Sequence, residues 1–236
     1  MVAAMTDQNA LKRAVAAKAL EYVRAGMKLG LGSGSTAEIF VELLAAHPVA
    51  KSLTCVPTSE KTAALARKLG LTLAALDEAA PLDLTIDGAD ESDRDLNLIK
   101  GGGGMLLREK IVAAASRQMV VIADQSKLVA RLGKYPLPVE VVAFGHKSTA
   151  MRLDAALAAA GYAVPMTLRQ RDGAVFKTDN ANVIYDIAFG TIQDAPKLAA
   201  VLSAVPGVVE HGLFIGIATT LLIARPDGVA VIERGK

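Results

Sequence analysis

The sequence predicts an α/β fold: a doubly wound, mostly parallel sheet (Rossmann-like) joined to a second, smaller α+β domain. Two patterns carry that expectation. Short runs of Val, Ile and Leu alternate with helical stretches up to residue 124, and strands alternating with helices of that length fold as parallel βαβ units. After residues 132–138 strands begin to follow one another, and Asp172-Gly173 supplies a hairpin turn. Hydrophobic residues make up 52% of the 236, with no Trp and only 4% aromatics, so a substantial and aliphatic core can form.

Leu11, Val15, Ala19 and Tyr22 recur at helical spacing, which predicts an amphipathic helix over residues 7–24 capped by Thr6 or Asp7. A strand over 27–32 runs into a Gly-rich segment, and a helix over 36–46 follows, stopped at His47-Pro48. Strands are expected at 53–56 and 71–76, on either side of a helix over 59–69 that Gly70 ends. Leu82, Leu84 and Ile86 then alternate with Asp83, Thr85 and Asp87, the period of a strand. A polar loop comes next, then four glycines at 101–104, a helix over 105–117 and a buried strand over 119–123.

The second pattern gives a strand at 139–144, a helix at 148–160, strands at 162–169, 174–178 and 183–188, and a helix at 195–205. That is a split β-α-β unit with extra strands, ferredoxin-like in outline. Pro206-Gly207 marks the expected return to the first domain, to which strands 208–214, 220–224 and 229–233 are assigned, the last hairpin turning at Asp227-Gly228. The expected division is 1–131 with 207–236 as the α/β catalytic domain and 132–206 as the smaller one.

Lys and Arg total 26 against 24 acids, a net charge of +2, which gives no reason to expect nucleic acid or an anionic membrane as partner. A local basic pocket for a small anion stays open. The one cysteine, Cys55, excludes an intrachain disulfide and any multi-Cys metal site, and fits a reducing compartment. Mean hydropathy is high at +0.37. Yet the apolar stretch at 212–224 has 13 residues and two threonines, where a membrane span needs about 20. It reads as a pair of buried strands. Residues 1–10 carry Asp7 and no apolar signal-peptide core. The expectation is a soluble, cytoplasmic protein.

Four segments carry chemistry. Gly30-Leu31-Gly32-Ser33-Gly34-Ser35-Thr36 lies at a strand-to-helix junction. Glycines permit close backbone approach, and hydroxyls with free helix N-terminal amides suit an anion. The segment is neither GxGxxG, since position 35 is Ser, nor a P-loop, since no Lys follows the last Gly. Read alone it is a phosphate cradle or a plain capped turn. Asp87-Gly88-Ala89-Asp90-Glu91 follows a strand, and ligands of parallel sheets sit at strand carboxyl ends. Asp87 and Asp90 suit sugar hydroxyls or acid–base work, while Glu91, Asp93 and Asp95 read as a solvated loop. A Mg²⁺ site is the weaker alternative, because EF-hand spacing is absent and no His is near.

Lys100-Gly101-Gly102-Gly103-Gly104 puts a cation at the entrance of a loop whose four glycines carry a high entropic cost. Such a loop suits amides closing around a ligand. Glu109, one turn into the next helix beside Arg108 and Lys110, reads alone as a surface glutamate. Asp124-Gln125-Ser126-Lys127 ends another strand; alone it is a helix cap with a solvated lysine. Cys55 reads as core, His47, His146 and His211 as loop, helix-end or strand residues, and Arg169 and Arg171 as a solvated strand face.

Together and in order, these segments resemble ribose-5-phosphate isomerase of the A type. The resemblance spans nearly the whole chain: Leu11-Lys12 in the first helix, GSGST at 32–36, DGADE at 87–91, KGGGG with LREK at 100–110, and ADQSK at 123–127. It continues through PVEV at 138–141, TDNANVIYDI at 178–187, PGVVEHGLF at 206–214 and the final PDGV. The family interconverts ribose 5-phosphate and ribulose 5-phosphate without metal or organic cofactor. The resemblance implies Glu109 as the base between C1 and C2 of a cis-enediolate. It implies Asp87, Asp90 and Lys100 as the groups that hold the sugar, assist ring opening and stabilise the enediolate. Gly88, Ala89, Gly101, Gly102 and Gly103 belong to the same binding segments. Ser33, Gly34, Ser35 and Thr36 would cradle the phosphate with Lys127 and Lys12. A homo-oligomer, dimer or tetramer, is also implied. Ser33 stands where the bacterial pattern often has Thr, and Gly104 where many members carry Ala; both exchanges are expected to be neutral.

Two other classes fit parts of the pattern. A sugar-phosphate sensor of a transcription regulator shares the anion loop, but no helix-turn-helix segment is seen before residue 7 and the charge is nearly neutral. A coenzyme A transferase or an amino-sugar-phosphate deaminase would use a related fold, the first through a glutamyl thioester, the second with release of ammonia.

Overall fold

A computed structural model describes residues 7–235. Asp7 caps the first helix, its carboxylate accepting from the Asn9 amide at 3.0 Å; Thr6, the alternative cap, lies outside the described residues. The first half runs α1 (Gln8–Ala19), β1 (Lys28–Leu31), α2 (Ser35–Ala46), β2 (Thr54–Pro57), α3 (Glu60–Lys68), α4 (Leu76–Ala79), β3 (Leu84–Asp87), β4 (Glu91–Ser92), β5 (Leu98–Ile99), α5 (Leu106–Ala114) and β6 (Met119–Asp124). It continues with β7 (Leu137–Val141), α6 (His146–Ala159), β8 (Met166–Leu168), β9 (Gln170–Arg171), β10 (Ala174–Val175), β11 (Val183–Ile187) and α7 (Ala195–Ser203). The chain closes with β12 (Val208–His211), β13 (Leu213–Phe214), β14 (Thr220–Arg225) and β15 (Gly228–Glu233).

The central sheet has the order β15-β14-β6-β3-β1-β2. Its pairs are parallel except for the β14–β15 hairpin at the edge. The doubly wound α/β expectation therefore holds. Leu29, Leu31, Leu84, Ile86, Val120 and Ile122 pack against Val15, Phe40, Val41 and Leu44 of α1 and α2. On the other face Val112 of α5 packs with Val56 and Leu82. Because both faces are covered, the alternate residues of β3, Thr85 and Asp87, are as buried as Leu84 and Ile86. Thr85 spends its hydroxyl on Ser116, 2.7 Å away.

A second sheet, β12-β7-β11-β8, is antiparallel throughout. Leu137, Val139 and Val141 pack on Leu153, Leu157, Leu198 and Leu202 of α6 and α7. Asp172 and Gly173 turn the short β9–β10 hairpin, both with positive φ. Cys55 is a core residue, its thiol pushed up to about 12 by burial.

Four expectations need correction. No strand forms at 71–76: Leu73 makes a single bridge to Cys55, after which the chain turns into α4. The polar loop after Asp87 contains β4 and β5, which join β13 in a three-stranded sheet. Leu96, Leu98 and Ile99 are fully buried there, which a solvated loop would not provide. Strand 208–214 splits: β12 pairs with β7 in the second sheet and only Leu213 and Phe214 pair with β5. The break falls at Gly212, where a Cβ would stand 2.3 Å from the Lys100 carbonyl oxygen. Strand 139–144 also ends early, and Phe144 is 93% exposed. No helix of the described residues is long and apolar enough to cross a membrane.

Candidate active site

The order of the central sheet reverses at β1: β2 lies on one side, β3 and β6 on the other. Ligands of open parallel sheets bind at such a switch point, outside the strand carboxyl ends. A cavity of about 220 Å³ opens there. Its walls are Ser33–Thr36 after β1, Gly88–Asp90 after β3, Lys100–Gly103 after β5, Glu109 on α5, Lys127 after β6 and Lys12 on α1. The structure thus brings together every site residue expected from sequence save Asp87, which lies beneath the floor with no exposed surface.

The floor is an ion cluster. Lys100 is not at an entrance: it is 3% exposed, with Nζ 3.1 Å from Asp87 Oδ2 and 3.1 Å from Glu109 Oε1. It donates to the Gly88 carbonyl at 2.7 Å. Asp87 also accepts the amides of Ser33 at 3.0 Å and Gly88 at 2.7 Å. Gly32 permits this approach, since a Cβ at that position would stand 2.2 Å from Asp87 Oδ1. Glu109 is not a surface residue. Leu106, Glu109, Val112 and Ala113 form the buried stripe of α5, so helical periodicity turns the carboxylate inward. Arg108 and Lys110 turn away, to Glu60 at 2.7 Å and Glu210 at 2.6 Å.

Two carboxylates and one ammonium leave a net negative charge in a buried place. Burial pushes the Glu109 carboxyl up to about 8, with Lys100 opposing and the charges of Asp87 and Asp90 adding to the rise. Burial also raises Asp87, against Lys100 and the two amides. Asp87 Oδ2 and Glu109 Oε2 are each buried without a hydrogen-bond partner among the described residues. Burial thus raises the proton affinity of both carboxyls, and Glu109 is the one of the two that lines the cavity. Burial works against the charge on Lys100, but Asp87, Glu109 and Asp90 outweigh it and hold its pKa above the ordinary value. A carboxylate whose proton affinity is raised toward neutral pH, beside a fixed ammonium, can remove a proton from carbon and return it.

The other end of the cavity suits an anion. Helix α2 starts after Gly34 with no side-chain cap, so its first amides open into the cavity. Lys12 Nζ donates to Ser35 Oγ at 2.9 Å, placing a cation at the same mouth, and Lys127 is half-buried on the opposite wall. Ser33 departs from the expectation. Its amide goes to Asp87, and its hydroxyl lies 2.7 Å from Thr58, 2.8 Å from Ser59 and 3.1 Å from Thr62. Those partners exhaust its donors, so Ser33 braces the cradle from behind.

The glycine loop closes with Gly104 N–H donating to Gly101 C=O at 2.9 Å. Asp90 accepts the Gly102 amide at 2.7 Å. Gly104 is not a neutral position in this chain: φ is +94°, and a Cβ would stand 2.4 Å from Phe176 Cε1. Gly104→Ala is expected to destabilise the fold by about 1–3 kcal/mol. An unchanged urea midpoint would contradict this.

Sequence reasoning also missed two anchors. Glu91 is 3% exposed and accepts the backbone amides of Gly133, at 2.7 Å, and Tyr135. Asp93 folds its own loop, accepting from Asn97 N at 2.8 Å, and only Asp95 is solvated. Arg169, expected on a solvated face, pairs with Asp186 and reaches the glycine loop; Arg171 is exposed and stacks on Phe176. Gln8, one turn before Lys12, and Met105 also line the cavity. Among the described residues no group of three or more His, Cys, Asp or Glu is arranged to hold a metal. Asp87, Asp90 and Glu91 each face different partners.

Comparison with known proteins agrees with this geometry. The family model of ribose 5-phosphate isomerase A (phosphoriboisomerase A) matches residues 54–228. Ribose-5-phosphate isomerase A of Rhodopseudomonas palustris (strain BisA53) is 57% identical over 230 residues, 97% of this chain and 95% of that protein. The structure of ribose 5-phosphate isomerase from Plasmodium falciparum superposes with a TM-score of 0.92 at 38% identity, covering 97% of this chain and 100% of that one. A D-ribose-5-phosphate isomerase in complex with phospho-erythronic acid gives 0.90 at 33% identity, covering 97% and 100%. The chain belongs to the ribose 5-phosphate isomerase A family, a family of isomerases.

Proposed function

We propose that the chain interconverts D-ribose 5-phosphate and D-ribulose 5-phosphate through a cis-enediolate, with Glu109 as the general base. The observation that carries the reading is the arrangement of one cavity: a buried Glu109–Lys100 pair at its floor and the open N-terminus of α2 at its mouth. An aldose–ketose shift removes a weakly acidic proton α to a carbonyl and returns it to the neighbouring carbon. One carboxylate on one face of the enediolate does both, and contributes about 10²–10⁴-fold. Lys100, with the loop amides, meets the charge that develops on the carbonyl oxygen. Asp87 acts on the sugar through Lys100, whose ammonium it holds, while Asp90 faces the cavity and receives sugar hydroxyls.

The phosphate does not react, so its binding to Gly34, Ser35, Thr36, Lys12 and Lys127 orients the reacting carbons. Lys127→Ala is then expected to raise KM about tenfold, the loss of one charge-assisted hydrogen bond, with kcat nearly unchanged. A fall in kcat at constant KM would count against an anchoring role. The reaction places the chain in the non-oxidative exchange of pentose phosphates. The test is conversion of ribose 5-phosphate by EDTA-treated protein, followed as ribulose 5-phosphate formed. Turnover that survives EDTA is expected. No conversion, with sugar-phosphate binding retained, would return the sensor reading; dependence on added Mg²⁺ would return the metal reading.

A further inference from the structure

We infer that Arg169, carried by the second sheet, is a positioning residue that aims the amides of the glycine loop into the cavity; this rests on the isomerase reading above. Arg169 lies between β8 and β9, where its own amide donates to Ile184 C=O at 2.8 Å and its carbonyl accepts from Phe176 N–H at 3.0 Å. Its side chain is 12% exposed. Nε donates to Asp186 Oδ2 at 2.8 Å and Nη2 to Asp186 Oδ1, a bidentate pair that fixes the guanidinium plane. The remaining terminal nitrogen, Nη1, donates to Gly101 C=O at 2.8 Å and Gly102 C=O at 3.1 Å.

The consequence follows from peptide geometry. These peptide bonds are trans, and a trans peptide points its C=O and the next residue's N–H in opposite directions. Drawing the Gly101 and Gly102 carbonyls outward to Arg169 turns the Gly102 and Gly103 N–H groups the other way. Gly102 N–H is found on Asp90, which lines the cavity. Gly103 N–H has no acceptor among the described residues, and Gly103 lines the same cavity. A polyglycine loop has little stiffness of its own to hold that orientation. The cation supplies it, and adds positive charge behind the donors.

The probe is phospho-erythronic acid, whose carboxylate resembles the enediolate end of the reacting sugar, compared with inorganic phosphate, which needs only the cradle. Arg169→Met is expected to lower kcat at least tenfold with KM within about threefold. It should weaken phospho-erythronic acid at least tenfold and phosphate less than twofold. Arg169→Lys keeps the charge but not the fork, and should show the same split at smaller size; it carries the test if Arg169→Met does not fold. Full activity in either folded variant would overturn the inference. So would equal weakening of both probes, the mark of general loosening. If wild type itself fails to convert ribose 5-phosphate, the isomerase reading falls; if only the variants equal wild type, this inference alone does.

Discussion

Glu109→Gln is expected to lower kcat by about 10²–10⁴-fold, the share of a general base, while sugar-phosphate affinity stays close to wild type. Gln keeps the shape of the buried side chain and can still accept from Lys100, so the phosphate cradle some distance away is undisturbed. Stability should move the other way from activity. In the folded chain burial holds the Glu109 proton up to about pH 8, against 4.5 as the ordinary value. Folding therefore takes up a proton between those values, and Glu109's contribution to stability declines as pH rises through that window. The Gln variant lacks that decline, so it should unfold at a higher denaturant concentration than wild type at pH 9 and lose the gap near pH 5. The same shift sets the pH profile. Below about pH 8 the base is protonated in the free protein, so kcat/KM should fall about tenfold per pH unit there and level off above. A flat profile between pH 6 and 9 would remove Glu109 from the role.

Lys100→Met should damage both activity and folding. Among the described residues the ammonium is the only cation paired with Asp87 and Glu109, and it lies 3.1 Å from each. Losing the donor at the developing oxyanion costs about 10²–10³-fold in kcat. Breaking a buried ion cluster by removing one partner costs about 3–5 kcal/mol. That penalty should be greatest at pH 9 and relax toward pH 6, where the unpaired carboxylates take up protons. Urea unfolding at the two pH values reads it directly; a pH-independent loss would mean that the cluster is not electrostatically coupled. Phe214 packs beside Lys100, its ring centroid 5.6 Å from Nζ.

Much of the fold was legible because its signals are local. The alternation of β1, α2, β2 and α3 is written in apolar spacing and in Gly and Ser punctuation, and the strand ends put the anion loop and the DGADE segment where ligands bind. What failed was mostly a matter of partners distant in sequence. Leu98 and Ile99 are too short a run to declare a strand, and β5 exists because β4 and β13 flank it. Val208–His211 has strand chemistry, but only the second sheet says which strand it meets. Polar residues misled in one consistent way. Taken alone, without the resemblance, Glu91, Glu109 and Arg169 read as solvated and Lys100 as an entrance residue because charge is normally outside, and all four are buried or nearly so against partners elsewhere in the chain. For Glu109 a signal existed: its spacing from Leu106, Val112 and Ala113 places it on the apolar stripe of its helix. A charge at a core position of an amphipathic helix is itself a functional hint. Ser33 shows the converse, since its place in a Gly-rich loop suggested a ligand contact and the fold gives it three hydroxyl partners instead.

In the proposed reaction one carboxylate carries the proton between two carbons. That transfer is tested by running the isomerisation of ribose 5-phosphate in D₂O to equilibrium, holding it there for many turnovers, and reading C1 of the ketose and C2 of the aldose by NMR. A carboxylic acid exchanges its proton with solvent whenever the site opens, so one deuterium at each of those carbons is expected, with none in Glu109→Gln. Sugars that remain unlabelled after many turnovers, or labelling undiminished in the variant, would contradict the account.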